Sequence, residues 1–186
     1  MSPRSPTRTG RVSEREVVAT TATFLEQQGY RVYPNLDSTD YFDLVARRGD
    51  EVGLVEAKVS GSRTVLVQAL KRRAWGNWVS VVLSSETAAE RLAALTEGTR
   101  ASRVGVWATR QGTVRVLRVA REWVQPGEAD PYSELRSRFR KVLDRIDTGD
   151  LPSDVPWGGV VRAVRRASGG RGFAEWRLDE PMDREP

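Results

Sequence analysis

The chain contains no cysteine and no histidine. The first absence removes disulfides, thiolate zinc sites and cysteine nucleophiles. The second removes Ser-His-Asp triads, Cys-His dyads, histidine metal sites and every histidine general base. Any catalysis is left to Asp, Glu, Lys, Arg, Ser, Thr, Tyr or backbone groups, and carboxylates remain available to a hard cation such as Mg²⁺. No apolar run approaches the roughly 18–20 residues that a membrane span needs, so no membrane partner is expected. Residues 1–12 are rich in Pro, Ser, Thr and Arg with no apolar stretch behind them. They read as a flexible leader and not as a secretory signal, and a cytoplasmic location is the expectation.

The chain has 186 residues, room for one ordinary domain or a smaller one with an appendage. Thirty Lys and Arg outweigh 25 Asp and Glu, giving a net charge of +5. A basic balance suits a polyanion, because lysine and arginine displace condensed counterions from phosphates.

Periodicity orders the elements. Ser13 with Glu16 three residues on has capping-box spacing, and Val17, Val18, Thr21, Phe24 and Leu25 follow at helical intervals up to Gly29. Strands are predicted over 31–33, 41–46 and 52–59, the last two forming a hairpin across Gly49-Asp50. A helix over 64–75, a buried strand over 78–83 and an alanine-rich helix over 86–95 come next. A second hairpin joins 104–108 to 114–119 across Gln111-Gly112. The expected class is α/β, a mixed sheet with helices on its faces, over 13–120. Residues 121–186 form a basic, mainly helical extension, with helices over 131–146 and 160–167 and a loose end.

The first hairpin carries the chemistry. With its turn centred between Gly49 and Asp50, Val45 opposes Leu54, Asp43 opposes Glu56 and Tyr41 opposes Lys58. Directly opposed side chains lie about 5 Å apart, and two carboxylates at that distance repel unless a positive charge intervenes. Alternation places Phe42, Leu44, Ala46, Val55, Ala57 and Val59 on one apolar face, and Asp43, Glu56 and Lys58 on the other. Lys58 there could orient or deprotonate a water, or neutralise charge on a phosphate. A solvent-facing hairpin side can carry the same three residue types, and pattern alone does not separate the two.

Asp43 followed across the hairpin by Glu56-Ala57-Lys58, between a helix with an acidic start and a helix bearing Gln68, resembles the PD-(D/E)XK nuclease superfamily. The nearest flavour is that of archaeal Holliday-junction resolvases and Mrr-like restriction endonucleases. The likeness covers about residues 13–84 and rests on the order αβββαβ; Phe42 stands where many members have proline. It implies a restriction endonuclease-like core. It also implies that Asp43 and Glu56, with the Ala57 carbonyl and Glu14, hold Mg²⁺ or Mn²⁺. Lys58 would act on the attacking water, and Gln68 would stand beside the site. Glu16 would serve the helix cap. Lys71, Arg72 and Arg73 would meet the phosphate backbone.

The C-terminal third adds Arg136, Arg138, Arg140, Arg145, Arg162, Arg165, Arg166 and Arg171, with Trp157 and Trp176 among them. It can be a DNA clamp with Arg162, Arg165 and Arg166 on phosphates, a solvated helix laid over the sheet, or an oligomer contact. The expected activity is hydrolysis of DNA phosphodiester bonds by a metal-dependent endonuclease. A homodimer is compatible with it, because duplex cleavage needs two active sites. The alternatives are a non-cleaving nucleic-acid-binding or accessory module on the same fold, and a protein-interaction partner in a defence or repair system.

Overall fold

The computed structural model describes residues 12–34, 41–61, 63–124, 129–153 and 156–167. Residues 1–11 of the leader, Arg171, Trp176 and the loose C-terminal end lie outside these residues. The elements are α1 (Glu14–Gln27), β1 (Arg31–Pro34), β2 (Leu44–Arg48), β3 (Glu51–Lys58), α2 (Arg63–Arg72), β4 (Trp78–Leu83) and α3 (Glu86–Leu95). A single 3-10 turn (Arg100–Arg103) leads to β5 (Gly105–Arg110), β6 (Thr113–Arg118), α4 (Ser133–Asp147) and α5 (Trp157–Ala167). No helix among the described residues is long and apolar enough to cross a membrane.

The six strands lie in sequence order, β1 to β6. β1, β2 and β3 run antiparallel, β3, β4 and β5 parallel, and β5 and β6 antiparallel, so the sheet is mixed. The first hairpin has the expected register where it is paired: Leu44 pairs Val55, Val45 pairs Leu54, and the ladder closes at Arg48 and Glu51, but it stops short of the expected pairs Asp43–Glu56 and Tyr41–Lys58. The two-residue turn needs Gly49, whose φ is +60°. The capping box at α1 is also present, with Glu16 Oε2 accepting the Ser13 N–H at 2.7 Å.

Both sheet faces are buried. One core cluster joins Leu44, Ala46, Val55, Ala57, Val82 and Trp107 to Val17 and Leu25 of α1. The larger cluster joins Val45, Leu54, Val79 and Val81 to Val65, Leu66 and Ala69 of α2, and to Phe139, Leu143, Trp157 and Val161 of α4 and α5. α4 and α5 therefore belong to the same core as the sheet. Arg47 fastens α4 to the hairpin through Asp144 (2.6 Å) and Asp147 (3.0 Å), and the Tyr33 hydroxyl donates to Asp147.

Three expectations are corrected. β2 starts at Leu44, so alternation does not reach back to Phe42. That ring lies in the larger cluster with Val45, edge-on to Trp75 and Trp157 and tilted against Phe139. α2 ends at Arg72, three residues early, because the chain tightens into turns that bury Trp75 against Phe42 and Phe139. α5 begins at Trp157 despite Gly158 and Gly159, because Trp157 is 1% exposed and its burial outweighs their weak helix propensity.

A Cβ on Gly53 would overlap the indole of Trp78, whose Nε1–H is pinned to Glu51 Oε1 at 2.7 Å. Gly53→Ala should therefore lower unfolding stability by about 1–3 kcal/mol through overpacking, measured by urea denaturation. An unchanged midpoint would contradict this packing.

Candidate active site

The C-terminal end of β3 meets the start of α1 and the bend before β2. Asp43 sits in that bend, and its Oδ2 accepts the Ala57 N–H at 2.7 Å. Lys58 Nζ lies 2.8 Å from Glu14 Oε1 and 3.7 Å from Asp43 Oδ2. Glu14 comes from the opposite sheet face, but it stands on the first turn of α1, where Lys58 at the strand end can reach it. The structure thus brings Glu14, Asp43 and Lys58 together, with Glu56 on the same strand as Lys58.

Glu56 is buried, 4% exposed, in a face otherwise filled by apolar side chains. Its Oε1 accepts from Arg72 Nε at 2.7 Å. The Arg72 guanidinium also lies over the Tyr41 ring, 4.0 Å from its centroid. Arg165 of α5 meets the same ring at 5.0 Å and donates to the Tyr41 hydroxyl. A C-terminal arginine therefore reaches the edge of the site.

Burial pushes the Glu56 carboxyl up to about 7; Arg72 opposes this and the charge of Asp43 adds to it. Burial also raises Asp43, against the Ala57 N–H and Lys58. For Lys58, burial disfavours the charge, but the hydrogen bond to Glu14 and the charges of Asp43, Glu14 and Glu56 outweigh it. The ammonium is held above its ordinary value. A lysine in that state is protonated at neutral pH. It can orient a water or offset negative charge; it is poorly matched to act as a base, which works best with a pKa near the operating pH.

The other expected residues divide. Gln68 is half-buried one turn before Arg72 on α2. Lys71, Arg162 and Arg166 are exposed. Arg73 is not placed for a phosphate backbone: it is 6% exposed and donates to the Leu70 carbonyl and the Tyr132 hydroxyl. Residue 73 already belongs to the turn that buries Trp75. Arg136 is likewise buried, held by Asp130 at 3.0 Å and the Arg73 carbonyl at 2.7 Å.

Sequence reasoning missed the pairing of Arg72 with Glu56, and the place of Tyr41 and Arg165 beside it. A signal for the first was present: Arg72 lies three residues after Ala69 and seven after Val65, on the buried stripe of α2. Nothing local pointed to Arg165, 124 residues from Tyr41.

The donors available to a cation are carboxylate and carbonyl oxygens, which suit a hard divalent ion. Among the described residues no group of three or more His, Cys, Asp or Glu side chains is placed to hold one by itself. Comparison with known proteins finds no matching family model, no matching curated protein and no matching solved structure.

The raised Glu56 has a definite consequence for stability. Its folded-state value of about 7 exceeds the ordinary 4.5, so the folded chain holds the proton more tightly than the unfolded chain. The contribution is fully present below pH 4.5 and is lost as pH rises through about 7. The stability of wild type relative to Glu56→Gln should fall by roughly 3 kcal/mol across this window, read by chemical denaturation at several pH values. A difference that stays flat or grows would mean that Arg72, not burial, governs Glu56.

Proposed function

We propose that the chain is a metal-dependent endonuclease that hydrolyses DNA phosphodiester bonds, on a core of the PD-(D/E)XK type. One observation carries the reading: Asp43, Lys58 and Glu14 converge at the end of β3, on the strand that also carries the buried Glu56. The order of elements and the antiparallel β1-β2-β3 unit followed by a parallel β4 also support it. So does the basic net charge of +5.

Asp43 and Glu56 would hold Mg²⁺ or Mn²⁺, with the Ala57 carbonyl and Glu14 as further oxygen donors. The donor set fits, because Mg²⁺ takes one or two protein carboxylates and completes its shell with water and phosphate oxygens. When bound, the cation supplies Lewis-acid chemistry, polarising a phosphoryl oxygen and acidifying water. The Ala57 N–H fixes the Asp43 carboxylate. Lys58, kept charged by its acidic neighbours, orients the attacking water and offsets the charge that builds on the phosphate. Arg72 can exchange Glu56 for a phosphate oxygen, with Arg165 beside it. Exposed Lys71, Arg162 and Arg166 are available to the backbone of the strand. Water adds to phosphorus, the P–O bond to the leaving deoxyribose oxygen breaks, one proton passes from the water to solvent, and the departing oxygen takes up a proton from solvent to leave as a hydroxyl.

A second reading, a module that holds nucleic acid without cutting it, draws support from Arg72. That guanidinium already compensates Glu56, and among the described residues no three His, Cys, Asp or Glu side chains are placed to hold a metal ion.

Labelled duplex, single-stranded and four-way-junction DNA, incubated with Mg²⁺ or Mn²⁺, distinguishes the two. Cleavage by wild type should fall by at least about 10²-fold in Lys58→Ala and Asp43→Ala and vanish with a chelator. Binding without cleavage in all three proteins would establish the second reading.

A further inference from the structure

Glu56 and Arg72 form a buried ion pair inside the candidate site. The Arg72 Nε–H donates to Glu56 Oε1 at 2.7 Å, and the two side chains are only 14% and 5% exposed. The other charged groups of the site are more open to solvent. Asp43 accepts the Ala57 N–H, and Lys58 lies 2.8 Å from Glu14 and 3.7 Å from Asp43. Glu56 therefore already has a cation, supplied by the chain itself. A divalent ion that takes Glu56 as a ligand must displace this guanidinium or settle beside it. Settling beside it puts two cations on one buried carboxylate, and like charges at short range in a partly desolvated site repel strongly.

Arg72 has an alternative anion within reach of its position. It is the last residue of α2, and its guanidinium lies over the Tyr41 ring, 4.0 Å from the centroid. Arg165 of α5 approaches the same ring at 5.0 Å. Two guanidiniums thus converge on one aromatic ring at the edge of the site. Their planar forks match phosphate oxygens, and their mutual repulsion falls when an anion comes between them. A substrate phosphate arriving at this edge meets both.

We propose that Arg72 is a latch that couples the two ligands of the site: in the empty protein it holds Glu56 closed to a divalent cation, and a substrate phosphate, by drawing the guanidinium away, releases Glu56 to the cation. The inference rests on the metal-dependent nuclease reading and adds regulation to it. Its consequence is positive coupling. Without DNA, only the molecules with Arg72 swung away are competent to take the cation, and the apparent affinity falls by that fraction. By linkage, the factor that DNA adds to cation affinity equals the factor that the cation adds to DNA affinity.

Mn²⁺ binding to the full chain, read from the electron paramagnetic resonance of the free ion, tests this. The probes are Mn²⁺ alone and Mn²⁺ with phosphorothioate DNA, in duplex and four-way-junction form, whose backbone keeps its charge and resists hydrolysis. Titration at about pH 8.5 keeps Glu56, raised by burial to about 7, ionised, so that a proton does not take the place of the guanidinium. Wild type should bind Mn²⁺ at least about tenfold more tightly with one of the DNA forms than alone. Arg72→Gln, with its fold checked by circular dichroism, should bind DNA-free Mn²⁺ at least about tenfold more tightly than wild type, and the enhancement by DNA should shrink by the same factor. Arg138→Gln, which removes an exposed charge of α4, should behave as wild type in both. Wild-type affinity that neither DNA form changes overturns the proposal, and this arm needs no variant to fold. An enhancement by DNA as large in Arg72→Gln as in wild type also overturns it. Metal-dependent cleavage by wild type alongside either result removes the latch and keeps the nuclease reading, whereas coupled binding without cleavage keeps the latch and removes the hydrolase.

Discussion

The register of the β2–β3 hairpin is the constraint on which the rest of this molecule depends. Pairs from Leu44 and Val55 to Arg48 and Glu51 hold it, and a slip of one residue would exchange the two faces of a strand. Both faces are apolar and covered, so a slip would move Val45 or Leu54 from one core to the other at modest cost in hydrophobic burial. The polar groups make the choice specific. In the observed register Glu56 enters the face of α2, where Arg72 meets it at 2.7 Å, and Asp43 reaches the Ala57 N–H. A rearrangement that turned Glu56 to the other face of the sheet would take it from Arg72 and leave a buried carboxylate without its cation, at a cost of several kcal/mol.

The site is also where the fold departs from a uniform apolar core. Asp43, Glu56, Lys58, Glu14 and Arg72 compensate one another, and each carries a partner from a different element. The balance is unequal. Lys58 is surrounded by negative charge and stays an ammonium, while Glu56 is protonated far more readily than an exposed glutamate. One strand end thus offers a permanent cation beside carboxylates whose charge depends on what else is bound. That pairing is suited to a negatively charged substrate and a positively charged ion entering together.

The C-terminal helices connect this chemistry to the rest of the chain. α4 and α5 complete the larger core with Phe139 and Trp157, and they divide the arginines by role. Arg136 is a buried fastening to Asp130 and the α2 turn, Arg165 reaches Tyr41 at the site, and Arg162 and Arg166 face outward. Counting arginines along the sequence treats these as one basic surface, whereas burial separates them.

By itself the sequence determined the local structure: the capping box at Ser13, the two-residue turn at Gly49, the order of helices and strands, and the hairpin register from Leu44 and Val55 to Arg48 and Glu51. Each follows from contacts within a few residues or from period-two and helical spacing. Only the tertiary structure decided where Asp43 lies and which side chains meet the polar groups around the end of β3. Arg72 on Glu56, Glu14 on Lys58 and Arg165 on Tyr41 join residues 16, 44 and 124 positions apart. The tertiary fold also turned Phe42 into the larger core and buried Arg73. Apart from the place of Arg72 on the buried stripe of α2, no local period encodes these outcomes; they follow from packing large aromatic rings and from the cost of leaving a buried charge without a partner.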